Sequence, residues 1–371
     1  MHFQHTTTSQ NVVFGPGELG NLANHLDGLS LRGAFLCTSQ SYLRNGAVDR
    51  VRNALGMRLT GVFGEVRPHV PDATVASAVN MVEDLEVDTV IALGGGSAIG
   101  TAKAVAASLG ERHSDRPLLP IVAVPTTYAG SEMTPIYGVT RAGEGRKVTV
   151  TDPRCTPRLV VYDPDLTLDL PPALTAGTGM NALAHCVEGL YSNGRTPVTT
   201  ATALAGITTI FRALPQRVAN STNADARAEM LIGAYLGGTT IANARLALHH
   251  AICHALGGTA GVPHGVANTI MLPHVMRFNC SAAVTELATM ATTLNLGRSG
   301  MSDLALAEAA VDATTELAGL LGMPLRLRDA GVARPDLARL AATTLKSAAI
   351  QANPRPVTDA EQIESILANA W

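Results

Sequence analysis

Five of the chain's eleven histidines fall between Leu248 and His274. His250 and His254 are four residues apart in His249-His250-Ala-Ile-Cys-His254, which puts both imidazoles on one face of a helix. Asn181 and His185 repeat that spacing in Met180-Asn-Ala-Leu-Ala-His185. His264 follows in Val262-Pro-His-Gly265, at a helix start marked by proline. Imidazoles placed this way can bind a divalent metal, hold an anion or move a proton, and spacing alone leaves all three open. A single histidine on an apolar helix is ordinarily a core residue. His185, His250, His254 and His264, at paired spacing, read as a set. His249 points about 100° away from His250 and His274 stands apart, so both read as structural.

A second chemistry sits in the first half. Thr89-Val-Ile-Ala-Leu-Gly-Gly-Gly-Ser-Ala-Ile-Gly-Thr-Ala-Lys103 reads as strand, glycine turn and helix start. Gly94, Gly95 and Gly96 let the backbone come close to a phosphate. Ser97 and the free N–H groups of the helix N-terminus then face the anion. The spacing is neither GxGxxG nor a P-loop, and a tight turn with a capping serine is the plainer alternative. Val122-Ala-Val-Pro-Thr-Thr-Tyr-Ala-Gly-Ser-Glu132 is a second buried strand that ends in hydroxyls and glycine, offering Thr126, Thr127 and Ser131. Ligands of open α/β sheets sit beyond the carboxyl ends of strands. Two such ends predict a cofactor cleft. Lys103 reads as a residue of its helix surface.

These groups need elements to hold them. Apolar runs at Ala34–Cys37, Gly61–Val66, Thr89–Leu93, Pro120–Val124 and Leu159–Tyr162 alternate with helical patterns at 48–55, 72–85 and 97–109. Lys147–Val150 is a further strand candidate. That alternation predicts a parallel α/β sheet over residues 1–163. Beyond Asp163 the chain turns to long Ala/Leu-rich stretches at helical spacing, which predicts an all-helical domain over 164–371. Pro171-Pro172 marks a helix start; Pro263 and Pro273 mark breaks.

Composition supports two packed domains. Hydrophobic residues make up 46% of the 371 and charged residues 15%, which excludes intrinsic disorder. Aromatics are only 4%, so the cores must be built from Ala, Leu, Val and Ile. The net charge of −3 and the scattered Lys and Arg argue against nucleic acid as a partner. No stretch of about 18 uncharged apolar residues appears, so no membrane span is expected. Five cysteines without a CxxC pair read as reduced thiols of a cytoplasmic protein.

The series of motifs resembles the iron-containing alcohol dehydrogenase superfamily. The pieces are Phe14-Gly-Pro-Gly17, Gly94-Gly-Gly-Ser97, Pro125-Thr-Thr127, Gly179-Met-Asn-Ala-Leu-Ala-His-Cys-Val-Glu188, His250-x3-His254 and Pro263-His-Gly265. The resemblance implies a dinucleotide-binding N-terminal domain, a helical C-terminal domain and a homodimer. Pro125-Thr-Thr-Tyr-Ala-Gly-Ser-Glu132, Gly179-Met-Asn181 and Asn353-Pro-Arg-Pro-Val-Thr-Asp359 are similar to the branch that reduces maleylacetate. Ala251 and Pro263-His-Gly-Val-Ala-Asn268 are instead like the alcohol-oxidising branch.

What the resemblance implies is hydride transfer from a reduced nicotinamide to an alkene conjugated with a ketone, on a dicarboxylate substrate. Such a reaction needs donors at the ketone oxygen and a general acid. His185, His250, His254 and His264 can supply both, with His250 or His254 as the acid and Tyr128 as a further donor. Arg245 is a candidate carboxylate partner. In the metal-dependent branch the ligands map onto Asn181, His185, His250 and His264. An amide neutralises no charge on a divalent ion where a carboxylate would, so a metal is not expected to be required. A metal-dependent alcohol dehydrogenase or aldehyde reductase, or a lyase like dehydroquinate synthase, are the competing readings. Lys147 matches a position that approaches the nucleotide. Thr38-Ser-Gln-Ser-Tyr42 follows the strand Ala34–Cys37 and holds no carboxylate, Lys or Arg to read a 2′-phosphate, with Thr38 nearest the ribose. NADH is therefore expected to be used and NADPH tolerated.

Overall fold

The computed structural model describes residues 3–7, 9–113, 116–141, 143, 146–220 and 223–371, with the backbone alone for Arg146, Lys147 and Ala219. It divides into two compact units, Thr7–Leu170 and Pro171–Trp371, the N-terminal residues up to Thr6 going with the latter. The α/β unit runs past Asp163 because Leu166 packs in the same core as β-sheet residues Ile91, Val122 and Val161. The Asp163 carboxylate is itself fully buried. It accepts from the backbone N–H groups of Gly17 (3.0 Å), Leu19 (3.1 Å) and Asp165 (3.1 Å).

In the α/β unit the strands are β1 (Asn11–Phe14), β2 (Ala34–Cys37), β3 (Leu59–Phe63), β4 (Thr89–Gly94), β5 (Ile121–Pro125), β6 (Ile136–Arg141), β7 (Arg146–Thr151) and β8 (Leu159–Tyr162). Six of them form an all-parallel sheet in the order β1-β8-β5-β4-β2-β3. Helices α1 (Leu22–Gly28), α2 (Gln40–Arg44), α3 (Ala47–Leu55), α4 (Asp72–Glu83) and α5 (Gly96–Arg112) connect the strands. β2, β4, β5 and β8 are buried along their whole length, as a parallel sheet covered on both faces requires. β6 and β7 form a separate antiparallel ribbon, not further members of the sheet. β1 carries no sequence signal because it is a short, half-exposed edge strand.

Lys103 corrects its reading as a surface residue. It lies in α5, fully buried, and its Nζ donates to the carbonyls of Ser131 (2.7 Å), Thr134 (2.7 Å) and Ile136 (3.1 Å). One ammonium thereby ties the segment between β5 and β6 to the helix that starts at the glycine turn.

The helical unit contains α6 (Pro172–Tyr191), α7 (Pro197–Ala219), α8 (Ala224–Asn243), α9 (Leu248–Ala260), α10 (His264–Asn279), α11 (Val284–Thr293), α12 (Asp303–Leu320), α13 (Leu337–Leu345) and α14 (Ala360–Ala370). Pro172 opens α6 where its missing N–H costs nothing. Pro273 does not break the chain as expected but sits inside α10. Ile270, Met271, Leu272, Val275 and Met276 around it are all buried, and that packing carries the helix through one lost backbone bond. α9, α10, α13 and α14 share one aliphatic core.

The Lys103 contacts predict a stability effect. Lys103→Met leaves three carbonyls without their donor, and an orphaned buried acceptor costs ~1–3 kcal/mol. Urea unfolding should show a loss of at least about 2 kcal/mol. Arg112→Met, which breaks only the exposed Arg112–Glu83 pair (2.8 Å), should cost under about 1 kcal/mol. Equal effects would show that Lys103 does not hold this segment.

Candidate active site

α6 carries Asn181, His185 and Glu188 at i, i+4 and i+7, hence on one face. All three are buried: 6%, 8% and 0% exposed. Glu188 is the single charged residue of this 20-residue helix, which is the sequence signal that singles it out. A carboxylate in so apolar a helix needs partners.

Its partners lie on α9. The N-cap residue of α9 is Ala247, which has no side chain to satisfy the first N–H groups of the helix. Glu188 supplies the missing acceptor from a different helix. Its Oε1 accepts from the backbone N–H of His249 (2.8 Å) and of His250 (3.4 Å). Its Oε2 lies 2.7 Å from His250 Nδ1. One carboxyl group thus caps a helix and fixes an imidazole. Burial pushes the Glu188 carboxyl up and the His250 imidazole well down, because it disfavours the charged form of each. Because Nε2 faces the Asn181 oxygen, an uncharged ring carries its hydrogen on Nε2 and takes the Nδ1 bond from Glu188 Oε2–H.

His250 Nε2 lies 3.4 Å from Asn181 Oδ1, and His264 Nε2 lies 3.1 Å from the same oxygen. The His185 and His250 rings stack at 4.8 Å, and His254 and His264 at 5.8 Å. His250 lies 6.2 Å from His254 and 6.0 Å from His264 between ring centroids. All four predicted histidines are therefore brought together. His185 and His250 form a buried layer, and His254 and His264 an exposed one. Burial also holds His185 well below its ordinary range.

His249 is structural, as expected. It is fully buried, and its Nε2–H donates to Asn268 Oδ1 at 2.8 Å. Asn268 Nδ2 in turn donates to the His264 carbonyl at 2.8 Å. Arg245 is exposed at the connection between α8 and α9, its stem lying against Gly194. His264 reaches Asn181 because α6 and α10 cross on two glycines. A Cβ built on Gly265 would stand 2.6 Å from Gly177 Cα, and one on Gly177 would stand 2.8 Å from Gly265 Cα.

In the α/β unit the glycine turn and the Thr126–Ser131 turn are locked together. Thr126 N–H donates to Gly94 O at 3.1 Å, and a Cβ on Gly95 would stand 2.8 Å from Thr127 Oγ1. Gly94 has φ +147°, a conformation that disfavours any side chain. Gly95 is the N-cap of α5 and makes no side-chain cap, so backbone N–H groups remain for an anion. Gly95, Gly96, Ser97, Thr127 and Ser131 are half-buried and within reach of a ligand. Four predicted residues are buried instead, Gly94 among them. Thr38 is fully buried and its hydroxyl donates to Leu93 O at 2.9 Å. Thr126 is buried and bonded to the Tyr42 hydroxyl. Tyr128 is fully buried and presents no surface donor. Tyr42, which spacing does not single out, joins the turn after β2 to the end of β5. Lys147 lies in β7, and its side chain is outside the described part.

Comparison with known proteins follows the same division. The iron-containing alcohol dehydrogenase family model matches residues 9–164, and the Fe-containing alcohol dehydrogenase family C-terminal model matches residues 175–371. A maleylacetate reductase of Sphingobium indicum is 36% identical, covering 100% of this chain and 97% of the relative. Maleylacetate reductase 1 of Cupriavidus pinatubonensis is 37% identical, covering 98% and 95%. Among solved structures, a maleylacetate reductase from Agrobacterium tumefaciens aligns with TM-score 0.88 at 32% identity, covering 100% of this chain and 98% of that one. A 1,3-propanediol oxidoreductase aligns with TM-score 0.94 at 33% identity, covering 100% of both.

The glycine crossing makes a prediction. Gly265→Ala and Gly177→Ala each force the two helices apart, at a cost of about 1–3 kcal/mol for such overpacking. Thermal unfolding should show a lowered Tm for both, with the double variant losing less than the sum, because one displacement accommodates both methyls. A wild-type Tm in both single variants would contradict the contact.

Proposed function

The chain belongs to the iron-containing alcohol dehydrogenase family, and from that premise we propose that it reduces maleylacetate to 3-oxoadipate with a reduced nicotinamide dinucleotide. The observation that carries this reading is the donor set of the helical unit: four imidazoles and the Asn181 amide, with Glu188 behind them. The maleylacetate reductases aligned along the whole chain support it.

The substrate is a dianion whose alkene is conjugated with a ketone. Hydride adds to the alkene carbon β to that ketone, negative charge gathers on the ketone oxygen, and the α carbon takes a proton. Imidazole N–H groups can stabilise the oxygen, and one of them can give the proton. His250 is favoured as the acid over His254, because Glu188 holds its Nδ1 and Asn181 Oδ1 orients its Nε2. A proton lost from Nε2 can be replaced at Nδ1 by Glu188. The dinucleotide's phosphates are read by Gly95, Gly96 and Ser97, with Thr127 and Ser131 beside them.

Iron, for which the family is named, does not fit these residues as they stand. The amide oxygen of Asn181 faces the Nε2 atoms of His250 and His264 and takes their hydrogens. Turnover accordingly needs no metal in this reading. The reading also carries a homodimer: β1 is an open sheet edge with Val12 and Phe14 each more than a third exposed, and a second copy would cover it.

Two outcomes test the function. NADH oxidation with maleylacetate should survive prolonged EDTA treatment. His250→Ala should lower kcat by ~10²–10⁴-fold with the NADH Kd unchanged. Turnover abolished by EDTA and restored by Fe²⁺ or Zn²⁺ would sink the metal-free reading. For the cofactor, kcat/KM with NADH and NADPH should differ by no more than about a hundredfold, ~2.7 kcal/mol, since Ser39, Gln40 and Ser41 carry no charge. A ratio above about a thousandfold would mean that a charged residue elsewhere reads the 2′ position.

A further inference from the structure

The metal-free reading leaves a physical problem, because imidazoles that bind no ion need something else to hold their orientation. We infer that Asn181 is that group: its amide oxygen is a hub that aligns His250 and His264 by hydrogen bonds, and the neutrality of this one side chain is what keeps a divalent cation from the site.

The geometry supports the first half. Asn181 Oδ1 has two lone pairs and faces two ring nitrogens, His264 Nε2 at 3.1 Å and His250 Nε2 at 3.4 Å. An amide oxygen only accepts, so both nitrogens present hydrogens to it. A metal needs the lone pairs of those same nitrogens. The hub therefore fixes the rings in the tautomer that a metal cannot use. His250 is held from its other side by Glu188, so its ring is pinned at both nitrogens. His264 stands at the first position of α10, where the glycine crossing brings it to Asn181.

Charge supports the second half. Asn181, His185 and His250 are each at most 8% exposed. A divalent ion among them would keep its full charge in a poorly solvated place, since an amide and imidazoles neutralise none of it. Glu188 is the nearest carboxyl on α6, and both of its oxygens are already engaged by His249 and His250. Aspartate has the shape of asparagine and differs in charge, so Asn181→Asp supplies the missing anion without altering the packing. The residue is a positioning residue for the acid, and it also determines whether the site takes metal.

The test counts metal, so it stands apart from the substrate assignment even though the inference rests on the metal-free reading. Full-length wild type and Asn181→Asp are incubated with excess Zn²⁺, desalted, and measured for zinc per chain by mass spectrometry. We expect about one Zn²⁺ per chain in Asn181→Asp, lost again when His264→Ala is added, and at least tenfold less in wild type. An equivalent of zinc in wild type that His264→Ala removes would overturn the inference, as would a folded Asn181→Asp that retains none. If circular dichroism shows that Asn181→Asp does not fold, Asn181→Ala decides. Loss of the hub should then lower kcat at least about tenfold with the NADH Kd within twofold; an unchanged kcat would overturn it. A wild type that holds no zinc and turns over no maleylacetate would refute the substrate alone.

Discussion

The buried carboxyl of Glu188 joins two helices of the helical unit and fixes one of its imidazoles. α9 begins at an alanine and has no cap of its own. Without an acceptor from α6, the N–H groups of His249 and His250 would be buried unsatisfied, which folded proteins rarely tolerate. Because the same carboxyl also holds His250 Nδ1, the stability of a helix end and the orientation of an imidazole are one interaction. The spacing of α6 follows from it: Asn181 and His185 share the helix face that Glu188 must turn toward α9.

Burial then sets the chemistry. Glu188 is raised and His185, His249 and His250 are lowered, in each case chiefly because water is excluded. The inner layer is organised by hydrogen bonds that end on the Asn181 oxygen. His254 and His264, stacked on each other and exposed, form the layer that meets solvent. Lys103 shows the same logic in the α/β unit. Lys103, buried there, gathers three carbonyls of the segment that follows β5.

Much of this was legible in the residues. The buried strands β2, β4 and β5 read directly as apolar runs, because a parallel sheet hides both faces. The glycine turn and the paired histidines read directly because their spacing is local. What escaped depends on contacts far apart in the chain. Glu188 caps a helix that starts some sixty residues later, and Tyr42 bonds to Thr126 across two strands. Lys103 looks like a surface residue until its carbonyl partners are seen. Thr38 sits at a strand end that ordinarily faces ribose, yet its hydroxyl is spent on Leu93 O. Pro273 is a helix breaker by type and is overruled by its core. The β6–β7 ribbon reads as more sheet because strand propensity says nothing about the partner.

In the proposed reaction hydride adds to an alkene beside a histidine site that needs no metal. The most direct measurement places the hydrogen. Maleylacetate is reduced with NADH deuterated at the transferred position, in the presence of chelator, and the label is located by NMR. The account predicts deuterium at the methylene next to the terminal carboxylate, β to the ketone, with the ketone intact. Deuterium on a carbinol carbon, or no product until metal is restored, would contradict it.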